Sequence, residues 1–247
     1  MYPKFIKLYT FLKKNGVLVT LFTNLSLLND DILTVLKKYK PFNVDVTLYG
    51  FNQQVFESIT NAKNIDCKSI LKNIKLLKTN GINVSCKTLN VANNICDFDV
   101  IKEWCKKENI NFRYSSDLFS KYNGDFPIEY QINNNDIYYQ KYKEKTLTKN
   151  NIKINFSCSV SKYSLFLEYD LKIRPCWKFY KVDDFMISVS DKNIISSINL
   201  LQEKIGLYYG KVLKGCKGCF AYSICNECIV NELVDKNYNI KNSCKKI

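Results

Sequence analysis

Four cysteines near the end of the chain are spaced like a metal site: Cys216-x2-Cys219-x5-Cys225-x2-Cys228. A two-residue gap makes a tight turn that brings both sulfurs onto one centre, and thiolates are soft ligands that select zinc or iron-sulfur clusters. Lys214 and Lys217 flank Cys216, where their charge would either ease thiol ionisation or simply be solvated. Cys158 and Cys176 precede the set and Cys244 follows it. Spacing alone leaves open both a four-thiolate zinc knuckle and an iron-sulfur cluster. Seven thiolates suit one complete four-ligand cluster and a second with an open or non-cysteine position. The other cysteines, Cys67, Cys86, Cys96 and Cys105, are scattered, and Cys67 and Cys105 fall on apolar helix faces. All four are expected to be small core residues.

Composition narrows the chemistry further. The 247 residues include 11 Cys and no His, which removes the usual imidazole ligand of zinc enzymes and the base of Ser-His or Cys-His nucleophile systems. No run long enough to span a bilayer and no signal-peptide layout occurs, so a soluble cytoplasmic protein with reduced thiols is expected, and no membrane partner. The formal charge of +14 comes from Lys residues spread among Asn and Ile along the whole length. Without a dense basic block or a recognised binding motif, that charge reads as a solvated surface and not as a nucleic-acid interface. An acidic peptide would suit it as a partner.

The elements that must position these groups alternate. Phe5, Tyr9 and Leu12 mark a first helix that stops at Asn15-Gly16. Val17 to Thr23 reads as a strand, Asn29 to Asp31 open a helix with the stripe Ile32, Leu36 and Tyr39, and Val44 to Tyr49 is the next strand. Asp66 begins a helix bearing Cys67, Ile70, Leu71, Ile74 and Leu77, ended by Gly81. Ile82 to Asn90 is a third strand, Asp97 or Asp99 caps a further helix, and Ile110 to Tyr114 is a fourth strand. Strand and helix recurring about every thirty residues predict an α/β fold with parallel strands, an open sheet or a barrel. It opens on a helix where such folds usually open on a strand, and a bare strand edge is expected near Val17. Residues 116–149 read as a connecting segment with a Tyr- and Lys-rich helix around 134–145. Residues 150–247 form a second region with a hairpin, Tyr163 to Tyr169 turning into Lys172 to Arg174, followed by Cys-dense loops.

The ordered cysteines resemble the SPASM domain of radical S-adenosylmethionine enzymes. Its pattern runs C-x(9 to 15)-G-x4-C, a gap, C-x2-C-x5-C-x3-C, a gap and a last C, and Cys158, Cys176, Cys216, Cys219, Cys225, Cys228 and Cys244 follow it in order. Leu171 stands where the hairpin glycine is expected, and two residues instead of three separate Cys225 from Cys228. The resemblance implies that Cys216, Cys219, Cys225 and Cys244 hold one 4Fe-4S cluster, and that Cys158, Cys176 and Cys228 hold another that is one ligand short. Residues 1–115 are similar to the later part of that family's partial (β/α) barrel, with TLFTN (20–24), VTLYG (46–50) and CKTLNVANN (86–94) as strand ends. Because parallel strands present their C-terminal ends to a ligand, Thr23, Asn24, Thr47 and Lys87 are the candidates for a rim facing S-adenosylmethionine.

The family's CxxxCxxC loop, which holds the cluster that cleaves the cofactor, has no counterpart in this sequence, nor does its GGE-type segment. The four strands fit a barrel lacking its first two, and Met1 is expected to be an internal Met of a longer ancestral frame. The resemblance therefore implies a fragment or subunit of a peptide-modifying enzyme that binds auxiliary clusters, acts on a peptide or protein substrate, and engages S-adenosylmethionine only when a separate N-terminal fragment supplies the missing part. The alternatives are a non-catalytic iron-sulfur or zinc protein that binds a partner or carries electrons, and a decayed gene product.

Overall fold

The computed structural model describes residues 2–115, 118, 164–215 and 230. It divides into two compact units, Met1–Gln140 and Lys141–Ile247.

In the first unit, helix α1 (Phe5–Lys14) leads to strand β1 (Thr20–Thr23), helix α2 (Asp30–Lys38) to β2 (Asn43–Thr47), and helices α3 (Gln53–Thr60) and α4 (Cys67–Thr79) to β3 (Val84–Leu89). Helix α5 (Ile95–Lys107) then leads to β4 (Asn111–Ser115). The four strands lie in the order β1-β2-β3-β4, and every pair is parallel, as the α/β reading expects. Local signals set several boundaries. The Asn29 side chain accepts from the Ile32 N–H at 2.9 Å, and that of Asp66 accepts from Lys68 at 3.0 Å, each meeting a donor that a helix start leaves orphaned. Gly16 (φ 77°) and Gly81 (φ 67°) take the left-handed conformation that lets the chain leave α1 and α4.

Neighbouring residues on a strand point to opposite faces, and the sheet uses the two faces differently. One face supplies Val44, Val46 and Cys86 to a core completed by Ile32, Leu36, Ile70, Ile74, Leu77, Ile101 and Cys105 from the helices. Tyr9 of α1 is also buried, and its hydroxyl donates to the Tyr39 carbonyl; burial lifts this phenol to about 12, so it remains a donor throughout the neutral range. Cys67, Cys86 and Cys105 are buried as expected. A hydrogen bond between the Cys86 and Cys105 thiols, together with burial, pushes the Cys86 thiol far above its ordinary value.

Three details differ from the expectation. Cys96 is exposed, because α5 turns it away from the face that buries Phe98, Ile101 and Cys105. Helix α5 begins at Ile95, ahead of Asp97 and Asp99, so neither is its cap. Helix α3, with the Asn52 side chain accepting from the Gln54 N–H at 2.8 Å, lies between β2 and α4 where one helix was expected. β1 is the edge strand, and Val17, Leu18 and Phe22 beside or on it are exposed.

In the second unit, β5 (Phe166–Leu167), β6 (Lys172–Arg174) and β7 (Ile187–Ser188) form an antiparallel sheet. The expected hairpin is present as β5-β6, with Tyr163 outside the described residues. Helix α6 (Ile194–Gly215), which the sequence reading did not identify, packs Leu201 and Ile205 against Phe179, Phe185 and Val230. Apart from Leu118, the connecting segment with its expected helix around 134–145 also lies outside the described residues. Among the described residues no helix is long and apolar enough to cross a membrane.

Leu171 in the hairpin turn has φ 64°, the conformation for which a glycine is suited, and its side chain is exposed. Left-handed backbone costs an L-residue about 1–2 kcal/mol, and the extra unfolded-state freedom of glycine offsets part of the relief. Leu171→Gly is therefore expected to stabilise this unit by about 0.5–1 kcal/mol, read as a raised urea midpoint; a lowered midpoint would show that the side chain contributes packing instead.

Candidate functional site

The face of the first sheet opposite the apolar core is polar. Register pairs Phe22 with Asp45, Asp45 with Ser85, Thr47 with Lys87 and Lys87 with Arg113, which places all six residues on this face. The Asp45 carboxylate is 0% exposed. Its Oδ2 accepts from the Arg113 guanidinium and lies 3.7 Å from Lys87 Nζ, and its Oδ1 accepts from the Ser85 hydroxyl at 3.3 Å. Asn43 Nδ2 donates in turn to Ser85 Oγ at 2.7 Å. A buried carboxylate is tolerated only when cations and hydrogen bonds replace its lost water, and this one has both. Lys87 Nζ also sits 4.2 Å from the centre of the Phe22 ring, a cation-π distance.

At the C-terminal ends of β2 and β3 the connecting loops are pinned by side chains from the start of α5. Asp97 Oδ2 accepts from the N–H groups of Phe51 and Asn52, both at 2.8 Å. Gly50 makes room for this, since a Cβ there would lie 3.1 Å from the same oxygen and 3.0 Å from Val55. Asn94, fully buried, donates to the Leu89 carbonyl at 2.6 Å and accepts from the Val91 N–H at 3.0 Å. Beside it, Asn90 Oδ1 is the one buried side-chain polar atom without a partner among the described residues. An orphaned acceptor at the ligand-facing end of a parallel sheet fits a donor from a bound molecule.

The four rim candidates separate. Lys87 and Thr47 share the polar face in register. Thr23 Oγ1 accepts from the Leu25 N–H at 2.8 Å, and Asn24 Oδ1 accepts from Ser26 at 2.9 Å, so both shape the turn after β1. Thr23 and Asn24 also line a cavity of about 690 Å3 whose walls include Phe5, Leu21, Ile32 and Leu36. The sequence reading missed Asp45, Arg113, Asp97 and Asn90. A charge inside the apolar run VDVTLY was the visible signal for Asp45.

In the second unit Cys176 is half-buried, directly before the 3-10 turn Trp177–Lys181. Its neighbour in sequence but one, Arg174, holds this loop. The guanidinium donates to Glu168 Oε1 at 2.8 Å and to the Phe179 and Val182 carbonyls at 3.0 Å, with Asp183 Oδ1 at 3.3 Å. Cys158, Cys216, Cys219, Cys225, Cys228 and Cys244 lie outside the described residues. Among the described residues no three Cys, Asp or Glu side chains gather as a metal site would require.

Neither a protein-family model nor a curated protein matches the sequence. The fold does match solved structures. SuiB of Streptococcus suis bound to S-adenosylmethionine superposes with a TM-score of 0.69 at 15% identity, over 95% of this chain and 61% of that one. SuiB bound to the precursor peptide SuiA gives 0.69 at 15% identity, over 95% and 60%. anSMEcpe with bound AdoMet and Cp18Cys peptide gives 0.67 at 15% identity, over 100% and 78%. This chain thus spans about three fifths of the length of SuiB, and at such identities the likeness is one of fold.

Arg174 is buried, with 4% of its side chain exposed, so replacing it strands its acceptors. Arg174→Met is expected to cost the second unit about 3–5 kcal/mol in urea unfolding, with Arg174→Lys recovering only part because an ammonium cannot reproduce the planar fork. A loss below about 1 kcal/mol would mean that other contacts hold the Cys176 loop.

Proposed function

We propose that this chain is a fragment or subunit of a radical S-adenosylmethionine enzyme that modifies a peptide, with a SPASM-like second unit holding auxiliary 4Fe-4S clusters. The observation that carries the reading is the likeness of fold over nearly the whole chain to proteins whose structures hold S-adenosylmethionine and peptides. The ordered cysteine spacing supports it independently.

In this reading Cys216, Cys219, Cys225 and Cys244 hold one cluster, and Cys158, Cys176 and Cys228 hold a second. Arg174 fixes the loop from which Cys176 projects. Lys87 and Thr47 meet the cofactor from the polar face, Thr23 and Asn24 shape the turn after β1 at the same end of the sheet, and Asn90 Oδ1 accepts a ligand N–H. When bound and reduced through a CxxxCxxC cluster, the cofactor supplies a carbon-centred radical. This chain's residues position the peptide and shelter the radical from water. Because the sequence holds no CxxxCxxC motif, the chain is not expected to cleave the cofactor without a polypeptide that brings one. A non-catalytic role, in which iron-sulfur or zinc centres serve binding or electron transfer, is the second reading, and the spacing Cys216-x2-Cys219-x5-Cys225-x2-Cys228, which a zinc knuckle could equally use, supports it.

Anaerobic purification followed by iron, sulfide and zinc analysis tests the cluster assignment. About eight irons with matching sulfide are expected per chain, and stoichiometric zinc with little iron would replace the assignment with a zinc knuckle. Activity is tested by co-expression with a fragment carrying CxxxCxxC. Recovered cofactor cleavage is expected, whereas a folded, cluster-loaded and inert mixture would favour the non-catalytic role, and a chain that fails to fold would favour a decayed gene product.

A further inference from the structure

The polar face of the first sheet carries more positive charge than its own acid answers. Asp45 is the one acidic side chain among the residues paired across this face, and Lys87 and Arg113 both reach the same oxygen of it. One carboxylate neutralises one cation, so a full positive charge remains. It is also accessible: the Arg113 side chain is 59% exposed and that of Lys87 is 33% exposed, while the acid between them is sealed. A guanidinium offers five N–H donors in a planar fork, and the Asp45 contact engages only Nη2. Beside the pair, the Phe22 ring lies under Lys87 Nζ and is itself exposed.

This arrangement is organised before any ligand arrives. Asp45 fixes where both cations stand, and Ser85 and Asn43 fix Asp45. Ordering two long, flexible side chains ordinarily opposes binding, and here folding has already supplied that order. We propose that Lys87 and Arg113 form a binding site for a ligand carboxylate, with Phe22 as an apolar shelf for the part of the ligand next to it and Asp45 as the positioning residue. The ligand carboxylate assigned to this site is an acidic side chain of a peptide, which deepens the peptide-binding reading above; capture of the aminoacyl carboxylate of S-adenosylmethionine would only repeat the cofactor role already proposed for Lys87 and is the outcome the test must separate. The inference stands on this sheet alone and requires no iron, so its failure is separable from failure of the cluster assignment.

The test is calorimetric titration of the full chain at low salt with two matched pairs of probes. One pair is a short Glu-containing peptide and its Gln counterpart; the other is S-adenosylmethionine and its decarboxylated form. A charge-assisted contact supports an expected preference of about tenfold or more for the Glu peptide over its Gln counterpart, whereas a preference confined to S-adenosylmethionine over its decarboxylated form would overturn the peptide assignment. Lys87→Gln and Arg113→Gln should each reduce that preference to near unity. Lys75→Gln, which touches only the separate ion pair with Glu108, should leave it intact. If Arg113→Gln does not fold, Lys87→Gln and Arg113→Lys carry the comparison, the latter retaining part of the preference. Equal affinity within the peptide pair, a preference that survives Lys87→Gln, or no binding by either peptide overturns the proposal.

Discussion

A carboxylate sealed from water in the middle of a sheet sets the terms for the first unit. Asp45 could be buried only because Arg113, from a strand two places away, and Lys87, from the strand between, come to it, with the Ser85 hydroxyl on its other oxygen. Removing either cation would leave charge in a low-dielectric position, which is far more costly than never having buried it. The acid therefore ties β2, β3 and β4 together through their polar face. On the opposite face, Val44, Val46 and Cys86 tie the same strands to the helices through apolar contact. The two faces share the strands, and the alternation of side chains along each strand keeps their chemistries apart.

The loops at the sheet's C-terminal end follow a related logic. Asp97 uses one oxygen to collect two backbone N–H groups of the chain leaving β2, and Asn94 ties the turn after β3. The approach is close enough that Gly50 has no room for a side chain. Loops so fixed are a rigid rim, and in that rim Asn90 presents an unanswered acceptor. Among the described residues, the one buried side-chain acceptor without a partner thus lies at the end of the strands where parallel sheets bind ligands.

What the sequence disclosed is what local rules control. Asn29 and Asp66 as caps, Gly16 and Gly81 as exits, and the buried stripes of α2 and α4 follow from residues within one or two turns of each other. The misreadings lie where a distant partner decides. Asp97 has the composition of a cap, but the loop after β2, about 45 residues earlier, claims its carboxylate, and α5 starts before it. Asp45 was visible as a charge in an apolar run, yet its meaning depends on Arg113, 68 residues away. Helix α3 is eight residues long, too short for periodicity to stand out, and Cys96 differs from Cys105 only in the side of α5 it occupies. Of the candidate rim, Lys87 could be placed on a strand from local pattern alone, whereas the partners that orient it, Asp45 and Phe22, come from other strands.

The second unit shows how a turn persists without the residue best suited to it. Leu171 holds a left-handed backbone, which local preference opposes, so something nonlocal must favour the hairpin by more than that cost. Arg174 supplies it. Its guanidinium reaches back across the hairpin to Glu168 and forward to the Phe179 and Val182 carbonyls, so closing the turn and seating the following loop are one event. Glu168 and Arg174 can meet only if the strands pair in the observed register, Phe166 with Arg174 and Leu167 with Ile173. That register in turn forces a short connection through Leu171. The strain and the network are therefore coupled, and the residue between them and the following turn is Cys176.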